Sequence, residues 1–239
     1  MDQKCRTRPL GGRVGCDLIG SQTHGFLSTN PERRKGAGMI GKTVEAVLRA
    51  WDIYLGAKPM TTLTPRIAAE LLSHEGIVCE AYKDSVGVWT WSVGITDASG
   101  HSVGRYKDNP QSIEKCLEIY LWALRERYLP TVLQTFAGHK LTEAQLGAAL
   151  SFHFNTGAIH RADWVRKWKA GDKAGARAAF MNWSKPKEII PRREAERDLF
   201  FDGKWSGDGT ALVFDVAKPS YFPVQPKRID IMPELERLL

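Results

Sequence analysis

The sequence predicts an α+β fold, and three stretches carry the prediction. Thr64-Pro65 opens a helix that reaches His74-Glu75, because Thr caps and Pro suits the first helical position. "KDSVG" followed by the alternating run Val86 to Gly94 predicts a hairpin over residues 80–95. From about residue 110 to Trp205 the apolar spacing is helical throughout.

In the first helix Ile67, Leu71 and Leu72 form the buried face, and Gly76 is read as the stop. In the hairpin Val88, Thr90 and Ser92 share one face; Trp89, Trp91 and Val93 share the other. Asn109-Pro110 is expected to open a helix carrying Ile113, Leu117, Tyr120, Leu121 and Leu124. A second helix begins at the capping residue Thr142 and closes at Gly157, and segments 161–170, 172–183 and 191–201 form further short helices. Trp164, Trp168 and Trp183 fit the core of these helices. Beyond Trp205, "GDGTALVFDV" and "PSYFPVQPKRIDI" read as extended chain, since their prolines oppose a helix. Residues 206–239 are therefore expected to be an extended C-terminal tail.

At 239 residues the chain can bury one ordinary core and still carry extensions. Its net charge of +7 is uneven. Residues 1–59 hold ten Lys or Arg against five Asp or Glu, and the remaining 180 residues hold 24 against 22. The basic character thus belongs to a leader, within which Ile40, Val44, Val47, Leu48, Trp51 and Leu55 mark an amphipathic helix near 40–55. Its polar face mixes both signs, which suits docking on a protein better than lying on a membrane. Met39 and Met60 are plausible later starts. No apolar run approaches the ~20 residues of a membrane span, and the leader lacks the apolar core of a secretory signal. The four cysteines (Cys5, Cys16, Cys79, Cys116) form no metal-ligand spacing, so free thiols are expected, with no metal and no cofactor.

The chemistry concentrates between residues 74 and 94. Glu75 is expected in the last turn of its helix, where the macrodipole disfavours a negative charge and so favours an acid that keeps its proton. Asp84 sits at a turn, solvated and ionised; Thr90 projects from the hairpin. A proton donor, a carboxylate and a hydroxyl converging on one cleft suit water attack on an acetal. Taken alone, the spacing E-x8-D-x5-T is better explained without chemistry, by a helix-end Glu and a turn Asp that caps its own backbone.

The surrounding residues add a resemblance. "EGIVCEAYKDSVGVWTWSVG" resembles the active-site segment of the phage-type lysozymes, the muramidases called endolysins, glycoside hydrolase family 24. "LTEAQLGAALSFHFNTGAI", "KWKAGDKAGARAAFMNWSKP" and "PRREAERDLFFDGKW" follow in the family's order, so the likeness covers residues 60–205. It implies a lysozyme-like fold, with a small helix-plus-hairpin lobe, a larger all-helical lobe and a cleft between them. It implies hydrolysis of the β-1,4 bond between N-acetylmuramic acid and N-acetylglucosamine, with inversion. Glu75 is then the acid, Asp84 supports the water or the cationic transition state, and Thr90 positions the water. Tyr82, Asn155 and Thr156 are candidate substrate-binding residues; a turn that caps a helix explains Asn155 and Thr156 equally well. One departure stands out: the family commonly follows the Thr strand with Gly-His, whereas Ile95 follows Gly94 here.

The same resemblance implies peptidoglycan glycan strands as the partner, no nucleic acid, and a monomer that waits in the host cytoplasm for a holin before acting on the periplasmic wall to lyse the cell. A virion-borne lysozyme acting at infection, and an inactive cell-wall or nucleic-acid binding module using the basic leader, are the alternatives. Arg192, Arg193, Glu194, Glu196 and Arg197 are expected to form a salt-bridged surface, with the alternative that one of these arginines holds the two lobes or contacts the peptide stem, and His74 and His153 to be satisfied structural histidines.

Overall fold

The computed structural model describes residues 61–239; the amphipathic helix expected near 40–55 lies outside the described residues. Helix α1, Pro65–Ser73, is capped as the sequence requires: the Thr64 hydroxyl accepts from the Ile67 amide at 3.2 Å. Ile67, Ala68, Leu71 and Leu72 are buried beneath it. The helix stops two residues earlier than expected. His74 is its C-cap, and Glu75 follows outside it, its amide still bonded to the Leu72 carbonyl at 3.1 Å.

Gly76 is not a helix stop. It begins strand β1, Gly76–Lys83, which pairs with β2, Trp89–Ser92, and β2 with β3, Ile95–Thr96. The hairpin therefore starts earlier than residue 80. Its second strand is shorter than the alternation of Val86 to Gly94 suggests, because residues 84–88 form the turn and Ser92 and Gly94 adopt positive φ.

The C-terminal residues complete the same sheet. Strand β4, Thr210–Val216, runs parallel to β1 with Gly76 opposite Leu212 and Val78 opposite Phe214. Strand β5, Pro223–Asp230, pairs antiparallel with β4, giving the order β3-β2-β1-β4-β5. Helix α8, Met232–Leu238, then buries Leu235 beside α1. The extended reading of residues 206–239 holds for the two strands and not for this helix, where Pro233 stands in the first turn and breaks no hydrogen bond.

The helical portion runs α2, Ile113–Ala123; a wider turn, Leu124–Tyr128; α3, Leu129–Thr135; α4, Glu143–Thr156; α5, Asp163–Lys169; α6, Lys173–Phe180; and α7, Ile190–Asp202. Ser112, rather than Asn109-Pro110, starts α2 by accepting from the Lys115 amide at 3.1 Å. Thr142 and Gln145 form a reciprocal capping box on α4, which ends at Gly157 with φ +62°. Phe152, Trp164, Phe180 and Phe200 fill the core; Trp168 and Trp183 pack on it, half-buried. Cys116 is buried on α2 and Cys79 half-buried on β1, both as free thiols.

Candidate active site

Glu75 sits where α1 passes into β1, and Asp84 sits just past the far end of the same strand. A straight eight-residue strand would hold its ends about 23 Å apart. The β1–β2 register is irregular between Val78 and Tyr82, however, and such an irregularity bends a strand. Tyr82 lies within the electrostatic reach of both Glu75 and Asp84: burial, reinforced by those two carboxylates, pushes its hydroxyl up to about 12. Tyr82 is directly opposite Thr90 in the hairpin register, so the two side chains share a face. Tyr82 and Thr90 therefore face each other across the hairpin, with Glu75 at one end of β1 and Asp84 just past the other.

Asp84 does cap its own turn. Its Oδ1 accepts from the amides of Val86 at 3.0 Å and Val88 at 2.8 Å, while Oδ2 has no partner among the described residues. One oxygen thus fixes the carboxylate and the other is left for a ligand or water. Thr90 is buried, and its hydroxyl donates to the Val88 carbonyl at 3.1 Å, which leaves its lone pairs as acceptors.

The structure adds a partner that the sequence reading placed elsewhere. Arg192 of α7 pairs with Glu75. Far from forming a salt-bridged surface, Arg192, Arg193 and Glu196 are buried, and Glu196 bonds both arginines and the Ser151 hydroxyl. The signal missed was composition. Two cations and one anion on successive turns cannot be buried singly, but they can be buried together when they satisfy one another. Burial pushes Arg192 down, but Glu75 and Glu196 outweigh it and hold the guanidinium above its ordinary value. Arg193 is pushed down by burial.

Asn155 and Thr156 close α4. The Asn155 carbonyl oxygen accepts from Arg193 at 2.6 Å, and the Thr156 hydroxyl donates to the Phe152 carbonyl at 2.7 Å while accepting from the Ala158 amide at 3.2 Å. The capping explanation is therefore met for Thr156. Both residues also line a cavity of about 410 Å³ with Asn182, Trp183, Lys185, Pro186 and Ile189. His153 is buried with its Nδ1 unpartnered, not satisfied as expected, and burial pushes it down toward the neutral form. His74 lies 3.7 Å from the buried Glu70. Where Gly-His is usual, Ile95 is buried in the core; His101 instead bonds the Tyr106 hydroxyl at 2.9 Å.

Comparison with known proteins decides the ancestry of this arrangement. A model of the phage lysozyme family matches residues 72–196, just over half of the chain. The chain belongs to the phage lysozyme family. The match to phage lysozymes spans every candidate site residue and stops before β4, β5 and α8. The endolysin of Acyrthosiphon pisum secondary endosymbiont phage 1 is 32% identical over 140 residues, covering 53% of this chain and 89% of the relative. A crystal structure of a P22 lysozyme variant is 28% identical with a TM-score of 0.50, covering 59% of this chain and 99% of that one. The endolysin of Escherichia coli O157:H7 phage FAHEc1 has a TM-score of 0.52 at 24% identity, covering 61% and 96%. At that identity it supports the lysozyme-like fold alone.

Proposed function

We propose that this member of the phage lysozyme family is an endolysin that hydrolyses the β-1,4 bond between N-acetylmuramic acid and N-acetylglucosamine. Glu75 donates its proton to the glycosidic oxygen as the bond breaks. Asp84, held by its turn through Oδ1, uses Oδ2 to orient and activate the attacking water. Thr90 accepts a hydrogen bond from that water. Attack from the face opposite the leaving group inverts the anomeric carbon. Tyr82 and the cavity beside Asn155 and Thr156 contact the glycan strand. By family analogy, the enzyme is held in the host cytoplasm until a holin admits it to the wall at lysis; no described helix is long and apolar enough to cross a membrane.

What supports this reading is that Glu75 stands at the start of β1 and Asp84 just past its end, with Tyr82 of the same strand facing Thr90. Mass spectrometry of digested peptidoglycan tests it: reducing N-acetylmuramic acid ends are expected. N-acetylglucosamine ends, anhydro ends or freed peptides would each replace the proposal with another bond or mechanism. Retained configuration in fresh products would reassign Asp84 as a nucleophile.

A further inference from the structure

A buried chain of charges runs from the Glu75 carboxyl to the end of α4, and nothing in the proposed chemistry yet uses it. Arg192 bonds Glu75 with one nitrogen and Glu196 with another, the latter at 2.9 Å. The Ser151 hydroxyl donates to the same Glu196 oxygen at 2.6 Å, and its own oxygen lies 3.3 Å from Arg192. The second Glu196 oxygen takes Arg193, which reaches on to Asn155 at 2.6 Å and to the Trp183 carbonyl at 3.2 Å. Glu196 is 1% exposed and Arg193 0%, so water screens neither.

We infer that Glu196 is a positioning residue for the reaction: it seats Arg192 against Glu75, offsets that arginine's charge, and links the Glu75 carboxyl to the cavity lined by Asn155 and Trp183. A guanidinium beside a carboxyl favours the ionised form, which cannot donate a proton. An anion on the far side of the same guanidinium weakens that effect. Arg192 from α7 is bonded to Glu75, and the charge of Glu75 is felt by the phenols of Tyr82 from β1, Tyr120 from α2 and Tyr128 from the turn after it. Burial pushes all three phenols up, Asp84 is the second anion of the proposed site, Arg192 is the cation bonded to Glu75, and Glu196 is the group that governs that arginine.

This inference rests on Glu75 as the proton donor, and the experiment keeps the two apart. Glycan hydrolysis is followed against pH for wild type, Glu75→Gln, Glu196→Gln and Arg193→Gln, with circular dichroism and melting curves on each. Glu196→Gln removes a negative charge, and the alkaline limb of the rate profile is expected to move down by about one pH unit. Arg193→Gln removes a positive charge and should move it up. A merely structural role would lower the melting temperature and leave the limb in place, and an unmoved limb in either folded variant overturns the inference. Full activity of Glu75→Gln would instead overturn the reading of the acid. Should both charge variants fail to fold, Glu196→Asp decides: it keeps the charge but is too short to span both arginines. It is expected to lose kcat about tenfold or more at unchanged KM, and wild-type kcat would overturn the positioning role.

Discussion

Gly76 and Phe214 meet across the parallel β1–β4 pair: a Cβ placed on Gly76 would lie 2.5 Å from the phenyl ring. The residue next to the proposed acid is therefore glycine because a C-terminal strand lies against it. The leading edge of the candidate site and the far end of the chain are packed together.

Gly76→Ala is accordingly expected to destabilise the protein by about 1–3 kcal/mol, as overpacking does. Adding Phe214→Leu should recover part of that loss, because the smaller side chain vacates the contact. Chemical denaturation of the single and double variants checks this. Equal stability of wild type and Gly76→Ala would show that the ring moves aside at no cost.

Deleting residues 206–239 should give a chain that aggregates or melts well below the full protein. The deletion strips β1 of its parallel partner and exposes Ile77, which is fully buried, and an unpaired apolar strand edge invites association. Light scattering and calorimetry on the shortened chain measure it. A soluble product with unchanged melting would make the C-terminal strands an ornament on an independent fold.

Glu70 is the group through which acid should weaken that junction. It is 1% exposed and accepts from the Ser206 amide and hydroxyl and the Gly207 amide, the shortest of these at 2.6 Å. Burial pushes its carboxyl up, but the bonds from His74, Ser206 and Gly207 outweigh this and hold it below its ordinary value. A depressed folded value means that the stabilisation is complete above the unfolded value of about 4.3 and fades as pH falls through the folded one. Glu70→Gln should cost about 2 kcal/mol at neutral pH and cost less as the pH drops below that range. Unfolding free energies at several pH values test the slope, and a penalty independent of pH would remove Glu70 from the account.

Asp84 serves its turn with one oxygen and, in the proposed mechanism, the water with the other. Asn preserves an acceptor for the Val86 and Val88 amides but cannot act as a base. Asp84→Asn should thus keep its melting temperature while losing roughly 10²–10⁴-fold in activity; Asp84→Ala should lose both. An active, stable Asp84→Asn would leave the turn as the residue's whole purpose.

The residues alone were enough to place Thr64, Thr142 and Gly157 at helix ends, because a cap is a contact within one turn of chain. They also gave the core aromatics of the helical portion, whose apolar spacing is itself local. They were misleading on Gly76, on the burial of Arg192, Arg193 and Glu196, and on His153. Each of those depends on atoms far away in sequence: Phe214 lies 138 residues from Gly76, and Arg192 lies 117 residues from Glu75. A glycine near a helix end looks the same whether it stops the helix or makes room for a ring, and an arginine on a helix looks the same on a surface or in a core. Only the tertiary structure decides between these, because close approach and burial are properties of the partner as much as of the residue.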